Sequence, residues 1–260
     1  MDSKSEVIIR RETDDPADLF YLKRLADLLH LPAPSDLDEN GRFYLILKDS
    51  RLELHLNNPG KKKQTPVYVD FLSGPTYYRF THDRRINQPL AKAVGIKHGF
   101  RPLVLDATAG FGEDGFVLAS LGCMVTMIER SPIIWTLLDN GIGRCSENKR
   151  VNEVFCQRVT LHLADSVEFL NSTDQIFDTI YLDPMYTSSP RSSLNKQKMR
   201  LLRELVEDDT DSEKLLISAL KHASGRVVVK RPARADCLNH LPPSFSITSK
   251  SSRYDIYLTP

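Results

Sequence analysis

The chain is poor in the residues that staple small secreted domains or hold structural metals. Its four cysteines, Cys123, Cys145, Cys156 and Cys237, are scattered with no C-x-x-C pair. That excludes a zinc ribbon and a disulfide framework, points to a reducing compartment, and leaves no metal expected. No apolar run is long enough to span a bilayer, and Met1-Asp2-Ser3-Lys4-Ser5-Glu6 has no apolar leader character. The expectation is a cytoplasmic protein that makes no membrane contact. Internal repeats and low-complexity tracts are missing as well. Net charge is nearly absent: 35 basic residues stand against 34 acidic ones. Overall basicity therefore cannot drive nucleic-acid binding, and any such role must rest on local clusters.

What is present is the makeup of a folded chain with one good-sized core and room for a small second one. Residues 1–74 read as a small α/β unit. Val7-Ile8-Ile9 suits a short strand, and Asp15-Pro16 opens an amphipathic helix with Leu19, Leu22, Leu25, Ala26 and Leu29 on one face. Phe43–Leu47, Arg51–Leu56 and Val67–Phe71 read as strands, the first two joined by a tight turn at Lys48-Asp49-Ser50. From 75 to 260 strands alternate with helices, which predicts a doubly wound, Rossmann-like α/β sheet. Its strands are Leu103–Asp106, Val125–Ile128, Val159–Leu163, Thr179–Leu182 and Arg226–Lys230. Its helices are Gln88–Val94, Asp114–Leu121 and Pro132–Leu138. Ser244–Ser249 and Tyr254–Leu258 close the chain as an antiparallel hairpin.

Two segments carry chemistry. The first runs from the strand ending in Asp106 through the turn Ala107-Thr108-Ala109-Gly110-Phe111-Gly112 into a helix beginning Glu113-Asp114-Gly115. Glycine lets the backbone approach a ligand, and the helix start offers free N–H groups. The following strand ends in Glu129, where a ribose finds its carboxylate. Gly110, Gly112 and Gly115 match G-x-G-x-x-G, so a nicotinamide oxidoreductase is one reading. Glu113 and Asp114, however, would repel a pyrophosphate at that helix start, whereas a cationic nucleoside such as S-adenosylmethionine suits an acid-lined loop.

The second segment is Asp183-Pro184-Met185-Tyr186, at the end of an apolar strand. Carboxylate and carbonyl oxygens there can accept both hydrogens of an exocyclic amine, Pro184 fixes the backbone, and the Tyr186 ring offers a stacking face for the base. Basic residues gather around these segments. Arg79, Arg84, Arg85, Lys92, Lys97 and Arg101 form one cluster, Arg191, Lys196, Lys198, Arg200 and Arg203 a second, and Arg226, Lys230, Arg231 and Arg234 a third. Phosphate backbones are natural partners for such clusters.

With these strings in view the chain resembles the RsmJ family of bacterial ribosomal RNA methyltransferases. The matching stretches are Val69-Asp70-Phe71, Leu90–Lys97, Asp106–Gly110, Phe116–Gly122, Glu129-Arg130, Leu182–Met185, Lys198-Met199-Arg200, Val227–Pro232 and Tyr254–Tyr257. The resemblance implies S-adenosylmethionine-dependent methylation of the N2 amine of a guanosine near the end of 16S rRNA, on the RNA or the small ribosomal subunit. It implies cofactor contacts at Glu113, Asp114, Glu129, Arg130, Asp165, Ser166 and Asp183, joined by Asp106, Gly110 and Gly112 of the loop. It sets Asp183, Pro184 and Tyr186 at the acceptor base, with Arg84, Arg85, Lys196, Lys198, Arg200, Lys230 and Arg231 toward RNA. The chain departs from the family pattern at Glu113, where the family has Arg, at Asp165 in place of Ser, and at Tyr186 in place of Phe. It also carries Thr81–Asn87 where the family has a Gly-rich basic stretch. Two further readings stay open: a methyltransferase acting on a DNA or protein amine, and a noncatalytic RNA-binding assembly factor.

Overall fold

The computed structural model describes residues 7–35, 41–57, 65–82, 85–184, 211–249 and 252–259. The described residues fall into two compact units, one drawn from Met1–Asp70 and Ser131–Glu147, the other from Phe71–Arg130, Asn148–Ser188 and Asp208–Pro260.

In the first unit, β1 (Val7–Arg10) pairs in parallel with β2 (Phe43–Lys48), which pairs antiparallel with β3 (Arg51–Leu56). The β2–β3 turn places Asp49 and Ser50 at φ 49° and 60°. Two successive left-handed residues match the right-handed twist of a hairpin, as a two-residue turn requires. Helix α1 (Pro16–Leu29) starts where the Asp15 carboxylate accepts from the N–H groups of Ala17 and Asp18, with proline in its first turn. It buries Leu22, Leu25, Ala26 and Leu29 and ends at His30 in the left-handed region. Helix α5 (Pro132–Gly143), capped by Ser131, packs against β3 of this unit, and its Asn140 side chain accepts from the Leu52 N–H. The strand expected over Val67–Phe71 is reduced to one bridge, Leu54 to Val67. Val67, Val69 and Phe71 are buried in alternation as a strand would bury them, but the Val69 carbonyl accepts from the Arg144 guanidinium rather than from a ladder.

The second unit is built on a seven-stranded sheet in the order β6-β5-β4-β7-β8-β10-β9. Strands β4 (Leu103–Asp106), β5 (Met124–Glu129), β6 (Val159–Leu163), β7 (Phe177–Leu182) and β8 (Ala223–Pro232) run parallel. The hairpin β9 (Phe245–Thr248) and β10 (Ser252–Leu258) joins β8 antiparallel. Apolar residues on alternate strand positions serve both faces, as a sheet covered on two sides requires. Ile180, Leu182, Val227 and Val229 meet Leu215, Leu216 and Ala219 of α8 (Ser212–His222). On the other face, Phe116 of α4 (Glu113–Ser120) packs against Phe71, Phe80 and Phe155. Helices α2 (Gly74–His82), α6 (Lys149–Arg158), α7 (Ser166–Ser172) and α8 were not expected from the sequence, whereas α3 (Pro89–Val94) was. Among the described residues no helix is long and apolar enough to cross a membrane.

The third glycine of the loop motif has a packing reason. A Cβ on Gly115 would press on the Met127 methyl and lie 3.1 Å from Asp106 Oδ2, so side chains of β4 and β5 fill the space beside this glycine of α4. Gly115→Ala presses mainly on the flexible end of Met127 while placing a better helix former inside α4, so stability should change by no more than about 1 kcal/mol. A urea melt reads this, and a much larger loss would show that Met127 and Asp106 cannot yield.

Candidate functional site

The order of the parallel strands reverses between β4 and β7, the position at which open α/β sheets bind ligands beyond their strands' carboxyl ends. The loop after β4 is tied down by its backbone. Ala107 N–H donates to the Tyr181 carbonyl, Ala109 N–H to Ile128, and Gly112 N–H to Ala109. Gly110 and Gly112 take φ of 54° and 71°, and Gly112 is the residue from which α4 starts. The buried Glu129 carboxylate at the end of β5 accepts from the Gly110 N–H at 2.9 Å. Loop and β5 terminus are thereby one structure. Arg130 turns to Asp211, its guanidinium 2.9 and 3.0 Å from the two carboxylate oxygens. After β6, Asp165 caps α7 by accepting from the Val167 and Glu168 N–H groups, and the buried Ser166 hydroxyl donates to the Ala107 carbonyl.

Asp183 follows β7. Its N–H donates to Thr108 Oγ1 at 2.6 Å, which joins the two chemical segments, and Pro184 behind it is buried. In the β7–β8 register Leu182 sits opposite Val229. One residue further along, Asp183 and Lys230 emerge side by side. The Lys230 ammonium lies 2.7 Å from Asp183 Oδ2 and 2.7 Å from Asp114 Oδ2. Asp114 Oδ2 also accepts from the Tyr181 hydroxyl at 2.7 Å.

These contacts set the charge states. Burial works against the Asp114 carboxylate, but Lys230, the Tyr181 hydroxyl and the more distant Arg79 outweigh it and hold its pKa below the usual value. Burial likewise works against the Lys230 ammonium, and Asp183 and Asp114 together hold its pKa well above normal. Tyr181 is raised by burial and by the two carboxylates, and burial pushes Tyr254, across from Lys230 on β10, up to about 12.

Asp106 behaves differently. It is buried beneath the loop, accepts from the Thr108 N–H at 3.3 Å, and has its pKa raised by that burial from 3.8 to about 8. Its folded pKa lies above its unfolded one, so its contribution is fully present below the unfolded value and is lost as pH rises through the folded value. Wild type is expected to lose stability relative to Asp106→Asn across that window, by up to about 1.4 kcal/mol per pH unit. Thermal melts of both proteins at about pH 5 and about pH 8 test this, and parallel pH dependences would refute it.

The structure thus brings together Asp106, Gly110, Gly112, Asp114, Glu129, Ser166, Asp183 and Pro184 around one strand edge, with Asp165 and Arg130 at its margin and Glu113 exposed at the start of α4. Two expected phosphate contacts turn inward. Lys230 spans two carboxylates, and Arg231 is buried with its guanidinium on the Asp236 carbonyl, because both lie on a central strand rather than a surface loop. Arg85 is exposed ahead of α3, while Arg84, Tyr186, Lys196, Lys198 and Arg200 lie outside the described residues. Sequence reasoning gave no role to Thr108, although it lies within the loop motif, or to Tyr181, which lies inside an apolar strand. The β4–β7 pairing that opposes Asp106 to Tyr181 is the signal that places them.

A glycine-containing loop at the switch point, flanked by first-turn carboxylates on α4 and a buried glutamate at the end of β5, suits a cationic nucleoside. Fold and site define an S-adenosylmethionine-dependent methyltransferase. A family model described as "Putative SAM-dependent methyltransferase" matches residues 25–259. The chain is 43% identical over 241 residues to ribosomal RNA small subunit methyltransferase J of Desulfotalea psychrophila, covering 93% of this chain and 92% of that protein. It is 41% identical over 259 residues to the protein of the same name from Thioalkalivibrio sulfidiphilus, covering 99% of each. A solved SAM-dependent methyltransferase from Neisseria gonorrhoeae aligns with TM-score 0.72 and 32% identity, over 97% of this chain and 95% of that one. The chain belongs to the ribosomal RNA small subunit methyltransferase J family.

Proposed function

We propose that this methyltransferase modifies the exocyclic N2 amine of a guanosine in 16S ribosomal RNA, as free RNA or in the small ribosomal subunit, in the cytoplasm. The relatives' names supply the ribosomal RNA. The observation that carries the amine is the Asp183 carboxylate, held by Lys230 and seated by Thr108 at the switch point, followed by a buried proline.

When bound, the cofactor supplies a methyl group on a sulfonium. Glu129 would take the ribose hydroxyls and Asp165 the adenine amine, and Asp106, Glu113, Asp114, Arg130 and Ser166 would complete the cofactor site with the backbone of Gly110 and Gly112. The Asp183 carboxylate accepts an N–H of the guanine amine. That bond draws the nitrogen lone pair out of conjugation with the ring and orients it for attack; the new N–C bond would form as the sulfonium C–S bond breaks to leave a neutral thioether, so alignment does most of the work. A strong base is unnecessary, because the nitrogen becomes acidic once methylated and its proton leaves through Asp183 Oδ to solvent. Tyr186 stacks on a base swung out of a loop, at the low cost typical of single-stranded RNA. Arg84, Arg85, Lys196, Lys198 and Arg200 hold phosphates.

The decisive experiment is transfer of labelled methyl to 16S rRNA and to small subunits that lack their own modification. Label on a guanine N2 establishes the reading. Label confined to DNA or protein amines, or none despite cofactor binding, removes it.

A further inference from the structure

We propose that Lys230 is a positioning residue of the transfer reaction, one that acts through Asp183 by tying the acceptor-side carboxylate to Asp114 on the cofactor-side helix. The inference rests on the amine-transfer reading above and adds to it a residue that touches neither RNA nor methyl.

The geometry begins in the sheet. Lys230 continues the register of β8 one residue past Val229, so its Cα comes level with Asp183 beside it on β7. Its ammonium spans 2.7 Å to Asp183 Oδ2 and 2.7 Å to Asp114 Oδ2. Asp114 belongs to the first turn of α4, the helix that follows the Gly110–Gly112 loop, and Asp183 belongs to the segment that receives the amine. One cation thus fixes the separation of the donor half of the site from the acceptor half.

The surrounding groups make a single cation necessary. Asp106 on β4, Asp114 on α4 and Asp183 after β7 converge here. Tyr181 on β7 and Tyr254 on β10 face the same space, and Arg79 on α2 adds its charge at longer range. Two ionised carboxylates sharing a low-dielectric site would separate without a cation between them. The side chains are partly screened, with exposures of 25% for Lys230, 17% for Asp114 and 37% for Asp183. A small ligand can therefore reach Asp183 while the ammonium stays in place. A lysine committed to two carboxylates is not a phosphate contact, so its loss should appear in turnover rather than in RNA affinity.

The test is a double-mutant cycle read by labelled-methyl transfer at saturating RNA and cofactor, with cofactor Kd measured separately. Lys230→Gln keeps a hydrogen-bond donor but removes the charge. It is expected to lower kcat about ten- to a hundredfold while RNA KM and cofactor Kd stay within about threefold, because alignment rather than binding is lost. In the Asp183→Asn background the same change should cost no more than about twofold, since residues that act through one another do not add. Lys230→Arg keeps the charge in a wider planar group and should fall between wild type and Gln. It decides the matter if the Gln variant does not fold, by losing turnover in the wild-type background and not in the Asp183→Asn background. A raised RNA KM at unchanged kcat would make Lys230 a phosphate contact and overturn the proposal. So would a loss of equal size in both backgrounds. Failure of the parent reading looks different: wild type transfers no methyl to RNA, or Asp183→Asn turns over as wild type does.

Discussion

Asp183→Asn is expected to lower methyl transfer to RNA by about a hundredfold or more, the scale on which removing one well-placed catalytic hydrogen bond costs a reaction governed by alignment. The replacement keeps the size and shape of the side chain, and the backbone N–H that donates to Thr108 Oγ1 is untouched, so the turn itself should survive. What changes is the acceptor. A carboxylate offers two anionic oxygens to an N–H, whereas an amide offers one neutral oxygen and turns a donor toward the amine. An acceptor amine of the kind proposed would then keep its lone pair in the ring. Turnover should fall far more than cofactor affinity, because the contacts that hold the loop run through the Glu129 carboxylate, the start of α4 and the backbone N–H of Asp183, which the replacement leaves in place. Single-turnover transfer at saturating cofactor, beside a calorimetric cofactor titration, separates the two. Wild-type turnover by the Asn variant would remove Asp183 from the chemistry, and equal losses in turnover and affinity would make it a cofactor ligand only.

The site was legible in the sequence where chemistry follows a strand end. Asp106, Glu129 and Asp183 close apolar runs, and the apolar runs became β4, β5 and β7, so all three carboxylates reached the same edge. The terminal hairpin was legible for the same reason: two short alternating stretches around a polar turn have few other structures available. Charge was harder to read. A run such as Val227-Val228-Val229-Lys230-Arg231 looks like a strand that delivers cations to solvent, yet β10 pairs along its whole length and holds those residues inside the sheet. Lys230 is then reached by carboxylates from α4 and β7, a meeting of distant segments that no local pattern encodes. The helices that went unread share a different cause. Gly74–His82 opens with glycine and proline, and Lys149–Arg158 is short and strongly charged, so both look like connecting segments even though Val151, Val154 and Phe155 mark a narrow buried face on the latter. Those narrow faces are seated by ring contact with Phe116, which Phe80 and Phe155 both meet.

That contact has a measurable consequence. Phe116→Ala is expected to destabilise the protein by about 3–5 kcal/mol, the cost of truncating a fully enclosed aromatic ring and leaving a cavity. Phe116 is 0% exposed on α4, and its ring centroid lies 5.0 Å from Phe71, 5.5 Å from Phe80 on α2 and 5.0 Å from Phe155 on α6. Three rings from three segments converge on one side chain, and alanine would leave each without a neighbour. The expected fall in melting temperature is on the order of 10 °C for a chain of this size. Function should suffer before the fold is lost. Helix α4 carries Asp114 two residues ahead of Phe116, and α2 carries Arg79, whose charge helps hold Asp114 ionised, next to Phe80. With the ring gone, α2 and α4 lose the contact that fixes their spacing, so the start of α4 and the loop that leads into it lose their seat. Cofactor affinity of the Ala variant, measured well below its melting temperature, should therefore weaken while Phe116→Leu, which refills most of the volume, recovers most of both stability and binding. Undiminished binding in a destabilised Ala variant would show that the carboxylate–lysine network holds the site without the aromatic cluster beneath it.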